Sequence, residues 1–268
     1  MKIRNLVTSV SLVATGAIAL SAPAAHAFSF QTNYTQSLTG NLASKGDIFL
    51  DSVTLESGEV LSDFTLINSA NILSNDIYTG GNSGAASADI GDLATTGLRQ
   101  ESLTNEGAKA VFNNLNLNNI IDTEDKGKFV LDLNFEDAVD NIFLWERGRN
   151  SKLDIQALDA NGNAIGNLIK LDKSNQWDRA GFKINTQEIG RAQDVASIGL
   201  GLSDFGLTEG FINSVRVTSD GKSYNGPDFK LVGSVAEQEI PEPSALIGLG
   251  AIVAGAFATR RRKQVELA

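Results

Sequence analysis

Asp159, Asn161 and Asn163 in "DANGNAIG" occupy alternate positions, the spacing with which an oxygen-ligand loop opens around calcium. Lys170 stands where such a loop needs its distal bidentate glutamate, and a plain hairpin turn at Asn161-Gly162 explains the same residues. The acidic runs "DTED" (122–125) and "DIGD" (89–92) could gather calcium weakly, but solvated loops read the same way. Glycoside hydrolysis would need two carboxyl groups across a cleft, about 5 Å apart for retention or roughly 6.5–9.5 Å for inversion. Glu146 and the pair Glu136-Asp137 are the acids best placed for it, yet nothing in the pattern selects them. No catalytic residue, metal or cofactor is therefore assigned, and a non-enzyme is expected.

Trp177 in "KSNQWDRAGF" has Asp178 and Arg179 beside it, so a stacking face and hydrogen-bonding groups adjoin, as a small-ligand site requires. These three residues are the candidate ligand-binding set, with carbohydrate as the ligand. A loop tryptophan folded back to plug the core is the simpler reading. Trp145 lies in a doubly apolar run and is expected to be core.

The remaining repertoire is narrow. The chain has no cysteine, and its one histidine, His26, falls in a segment expected to be removed. Ser-His-Asp and Cys-His nucleophile systems, and His or thiolate sites for zinc, copper or haem, cannot be built without those side chains. Residues 28–240 carry thirty acids against sixteen lysines and arginines, a net charge of about −14. Such a surface repels nucleic acid and anionic lipid.

The elements that would position these residues are mostly strands. In "KFVLDLNF" Phe129, Leu131, Leu133 and Phe135 fall on one face. Ile142–Trp145 is apolar on both faces and reads as a central strand, continuing through Leu153–Leu158 and Ala164–Leu171 as an antiparallel meander. Further strands are expected at 47–55, 60–68, 196–202, 211–219 and 229–235. Two short helices are expected, one after Thr104 in "TNEGAKAVFNNL" and one at "NTQEIGRAQD", capped by Asn185 or Thr186. Residues 80–97 read as a mobile surface loop. The expected fold is all-β, a single antiparallel β-sandwich of jelly-roll or galactose-binding-like form with one or two short helices.

Both ends carry transport signals. Lys2 and Arg4, an apolar run from Leu6 to Leu20, and the small residues Ala25 and Ala27 form a secretory signal peptide with cleavage after Ala27. Near the other end, Pro241-Glu242-Pro243 breaks any preceding strand. The apolar stretch 244–259 would span roughly 24 Å as a helix, short of a hydrocarbon core of about 30 Å. Arg260, Arg261, Arg262 and Lys263 would stay cytoplasmic.

This ordered set of breaker, short apolar helix and arginine cluster resembles the PEP-CTERM sorting signal of exosortase-dependent surface proteins. The resemblance covers the last 28 residues or so. It implies recognition at Pro241, Glu242, Pro243 and the arginines by a membrane-embedded exosortase, transient insertion of 244–259 in the inner membrane, and release to the surface of a Gram-negative bacterium that makes exopolysaccharide. A permanent anchor is the competing reading. The stretches "SIGLGLSDFGLTEGFINSVRVTSDG" and "GPDFKLVGSV" are loosely similar to β-sandwich domains of such proteins. The expected organisation is a signal peptide at 1–27, a β-sandwich domain at 28–238 and a sorting segment at 239–268, with signal peptidase, exosortase and exopolysaccharide as partners.

Overall fold

The computed structural model describes residues 27–77, 85–172, 176–221 and 223–235. Ala25, Pro241, Glu242, Pro243, the stretch 244–259 and Arg260–Arg262 lie outside the described residues; Ala27 is described and exposed. No helix among the described residues is long and apolar enough to cross a membrane.

The described chain is mostly β, in three antiparallel sheets. The elements are β1 (Phe30–Gln36), β2 (Ile48–Leu55), β3 (Val60–Leu61), β4 (Ile67–Asn75), β5 (Ala86–Ile90), α1 (Asn105–Phe112), β6 (Asn119–Thr123), β7 (Phe129–Val139) and β8 (Asn141–Arg147). There follow β9 (Leu153–Leu158), β10 (Ala164–Leu171), β11 (Asp178–Ile184), β12 (Gln193–Gly201), β13 (Ile212–Ser219) and β14 (Asp228–Ser234). The sheets run β1-β2-β3, β10-β9-β13-β7-β4 and β11-β12-β8-β14-β6-β5.

Alternation in β7 buries Phe129, Leu131, Leu133 and Phe135 as expected, while Asp132 on the other face takes two hydrogen bonds, at 2.7 and 2.8 Å, from Arg216 of the neighbouring β13. Leu131 and Leu133 share one apolar cluster with Ile142, Leu144 and Phe229 of the six-stranded sheet. That sheet's other face builds a second cluster with the three-stranded sheet, where Phe30 meets Phe143 and Trp145 edge-on at 5.0 and 5.5 Å. The six-stranded sheet is thus covered on both faces, which is why β8 is apolar at every position from Ile142 to Trp145. Trp145 donates its indole N–H to Thr32 at 2.9 Å, so its polar atom is satisfied in the core.

Five expectations need correction. A third sheet covers the second face of the six-stranded one, so the architecture is more than two sheets. β8 and β9 do not form a meander: β8 pairs with β12 and β14, whereas β9 pairs with β10 and β13 in another sheet. The 60–68 strand is instead the short β3 and the start of β4. Residues 86–90 of the supposed surface loop are the fully buried β5, and 185–194 form no helix. The Thr104 cap is as expected, its hydroxyl accepting from Gly107 N at 3.0 Å.

Candidate functional site

The face of the six-stranded sheet that carries Phe143 and Trp145 ends in charge. Strand alternation puts Arg147 of β8 on that face, directly opposite Asp228 of β14, and β6 brings Asp122 alongside. Arg147 donates from Nε and Nη2 to one Asp228 oxygen at 3.0 and 2.6 Å, from Nη2 to Asp122 at 2.8 Å, and from Nη1 to the Thr186 hydroxyl. The other Asp228 oxygen accepts from Thr123 N at 2.9 Å. The guanidinium is almost wholly buried, its side chain 1% exposed.

Burial, then the charge of Asp228, pushes the Asp122 carboxyl well above the usual carboxylate range. Burial raises Asp228 as well, with Arg147 opposing. Burial works against the Arg147 charge, but Asp228 and Asp122 outweigh it and keep the guanidinium protonated. The two aspartates titrate as a pair around one fixed cation.

Above this triad opens a polar groove. Its first lobe, a cavity of about 710 Å³, has Asp122, Arg147 and Asp228 at its floor, and Arg99, Glu124 and Glu188 among its walls. A second lobe of about 670 Å³ is lined by Arg149, Lys183, Arg191 and Asp194. Asn150, Arg191 and Gln193 border both lobes.

Glu146 faces away from the triad, wholly buried, with Oε2 accepting from Arg149 N at 2.7 Å. Burial is the main reason its carboxyl is pushed up to about 8. It anchors the turn that carries Arg149 and lines neither lobe.

No protein-family model, curated protein or solved structure matches this chain. The groove's chemistry therefore rests on its own residues.

The structure does not bring the expected ligand-binding set together. Trp177 is 3% exposed and packs in the main core, so it presents no face to a sugar; Asp178 accepts from the Ser29 hydroxyl at 2.5 Å, and Arg179 reaches Asp194 at 3.8 Å on the surface. With both tryptophans buried, the emission spectrum is expected to be blue-shifted and resistant to iodide quenching. A red-shifted, quenchable component lost in Trp177→Phe would contradict the burial of that ring.

The calcium candidate is a turn. Asp159 accepts from Asn161 N at 2.8 Å and from Asn163 N at 2.9 Å, and these hydrogen bonds, Asn163's first, lower its carboxyl. Among the described residues no three His, Cys, Asp or Glu side chains gather as metal ligands. Glu136 and Asp137 are exposed at the far part of β7, away from the groove lining. Of the acidic runs, Asp122 belongs to the triad, and Asp89 accepts from the backbone of Ile90, Gln187 and Glu188, tying 185–191 to the sheet. Sequence reading missed the triad, although Arg147, two residues after a doubly apolar run and on the face of Trp145, where an unpaired cation could not be buried, is a signal that could have pointed to it.

Proposed function

We propose that this chain is an exported cell-surface or extracellular-matrix protein of a Gram-negative bacterium, sorted by an exosortase, whose body works by binding rather than catalysis. On this reading the two larger sheets are the halves of a β-sandwich of jelly-roll or galactose-binding-like form, and the three-stranded sheet is an addition to it. The observation that carries the non-catalytic part is the floor of the groove. Asp122 and Asp228 both direct an oxygen at the same Arg147 nitrogen, whereas a glycosidase needs one carboxylic acid and one carboxylate free to face the scissile bond.

The two terminal signals support export. Phe28 exchanges backbone hydrogen bonds with Gly199 at 2.9 Å in both directions, and β14 runs to Ser234, so the fold is tied together between these two points. A body held together between those points would survive loss of both ends.

The test of the non-catalytic reading is incubation of the purified protein with its host's exopolysaccharide. No reducing-sugar release above a heat-treated control is expected. Release that disappears in Asp122→Asn would overturn the reading.

A further inference from the structure

Most of this acidic surface repels anions, which sets the second lobe of the groove apart. Arg149, Lys183 and Arg191 line it against the carboxylate of Asp194. Lys183 lies 3.4 Å from that carboxylate, and Arg179 stands 3.8 Å from it. Exposed contacts of this length hold the cations only loosely. Four cations around one carboxylate make a local excess of positive charge within a body near −14.

Two observations single out Arg149 in this lobe. Its backbone is left-handed, at φ 61°, directly after Gly148 at φ 104°. Glycine or asparagine fills such a position more readily than a long side chain does. Its Nε is shielded from solvent and has no acceptor. Such an unpaired donor is rare in a native fold, and the guanidinium's one contact within the chain is a long one, from Nη2 to the Trp177 carbonyl at 3.5 Å.

We propose that this lobe binds an acidic sugar, with the carboxylate of a uronic acid residue held by Arg149, Arg191 and Lys183. Planar guanidinium groups match a carboxylate with two parallel hydrogen bonds, and Asn150 and Gln193 offer amides to the ring hydroxyls. The cavity is within the size range of small-ligand sites. Attraction from the lobe is felt only within a screening length of about 8 Å at physiological salt. Beyond that distance the acidic body repels, so a short uronic acid oligosaccharide, or the end of an acidic polysaccharide, fits and a long dense polyanion does not. The site replaces aromatic stacking with charge, and it stands on the body's geometry independently of export.

The test is calorimetric titration of the full chain with trigalacturonate, with maltotriose and inorganic phosphate as comparison probes. Trigalacturonate is expected to bind, maltotriose to bind at least tenfold more weakly, and Arg149→Asn and Lys183→Gln/Arg191→Gln to weaken trigalacturonate at least tenfold. Asparagine tolerates the left-handed backbone, so Arg149→Asn should unfold at a midpoint no lower than the wild type and separate recognition from folding. Equal affinity for maltotriose, unchanged affinity in the variants, binding of phosphate without trigalacturonate, or no binding of trigalacturonate to the wild type would each overturn the proposal. None of these outcomes depends on whether the chain is exported or cut.

Discussion

Arg147→Met is expected to destabilise the folded body by about 3–5 kcal/mol at pH 7, because it leaves Asp122 and Asp228 buried without their cation. Methionine fills much of the same volume, so the loss is electrostatic rather than a cavity. Arg147→Lys should recover little, since one ammonium cannot reproduce the set of hydrogen bonds that Nε, Nη1 and Nη2 make to Asp228, Thr186 and Asp122. The deficit should shrink as pH falls and the aspartates take up protons. Adding Asp122→Asn and Asp228→Asn to Arg147→Met should restore part of the loss, as neutral groups no longer need a cation. Urea unfolding at pH 5 and pH 7 measures all three effects. A single variant within about 0.5 kcal/mol of wild type at pH 7, the size of an ordinary surface change, would show that the triad is not as buried as described.

The second large effect concerns Glu146. Its carboxyl keeps a proton up to about 8 in the folded chain, against 4.5 for an ordinary glutamate. Between those values the folded state binds more protons than the unfolded one. Stability contributed by the neutral acid is therefore complete below about pH 4.5 and lost as pH rises through 8. The whole change is on the order of 5 kcal/mol at about 1.4 kcal/mol per pH unit. Asp122 titrates in the same sense. Lys230 works in the opposite one: burial holds its amine well below the usual lysine range, so its contribution grows as pH rises toward 10.5. Glu146→Gln isolates the first effect, because glutamine keeps an acceptor for Arg149 N and removes the titration. The wild-type profile should fall more steeply than the Glu146→Gln profile between pH 5 and 8; parallel profiles would contradict the assignment.

Strands whose residues alternate or are apolar throughout were legible one at a time. β7 shows its buried face in four residues, and β8 announces a central strand. What sequence did not disclose is which sheet each strand joins. The turn after Arg147 reads as a simple reversal, yet it carries the chain from the six-stranded sheet to the five-stranded one. β5 was hidden by composition, since Ala86 and Ala88 are small residues packed under α1 rather than the branched residues that mark a strand.

The supposed helix at 185–194 failed for a chemical reason. Thr186 has the look of a cap, but its hydroxyl is taken by Arg147 and its backbone bridges Gly91. Nothing in the run "LNLNN" (115–119) marks the part its asparagines play. In the fold, Asn116, Asn118 and Asn119 are buried and donate to Asp47 and to the backbone of 44, 46, 89, 96 and 98, pinning loops where no water reaches. The need of Arg147 for a partner could be read, but its partners could not: they lie 25 and 81 residues away, and only strand pairing brings them together.

The most direct test of the central claim is intact-mass measurement of the protein recovered from its native host, from both the membrane and the extracellular fractions. An extracellular or surface species that begins at Phe28 and ends near Pro241-Glu242-Pro243, without Arg260–Lys263, is expected. A species confined to the inner membrane with the arginine-rich end intact would contradict it.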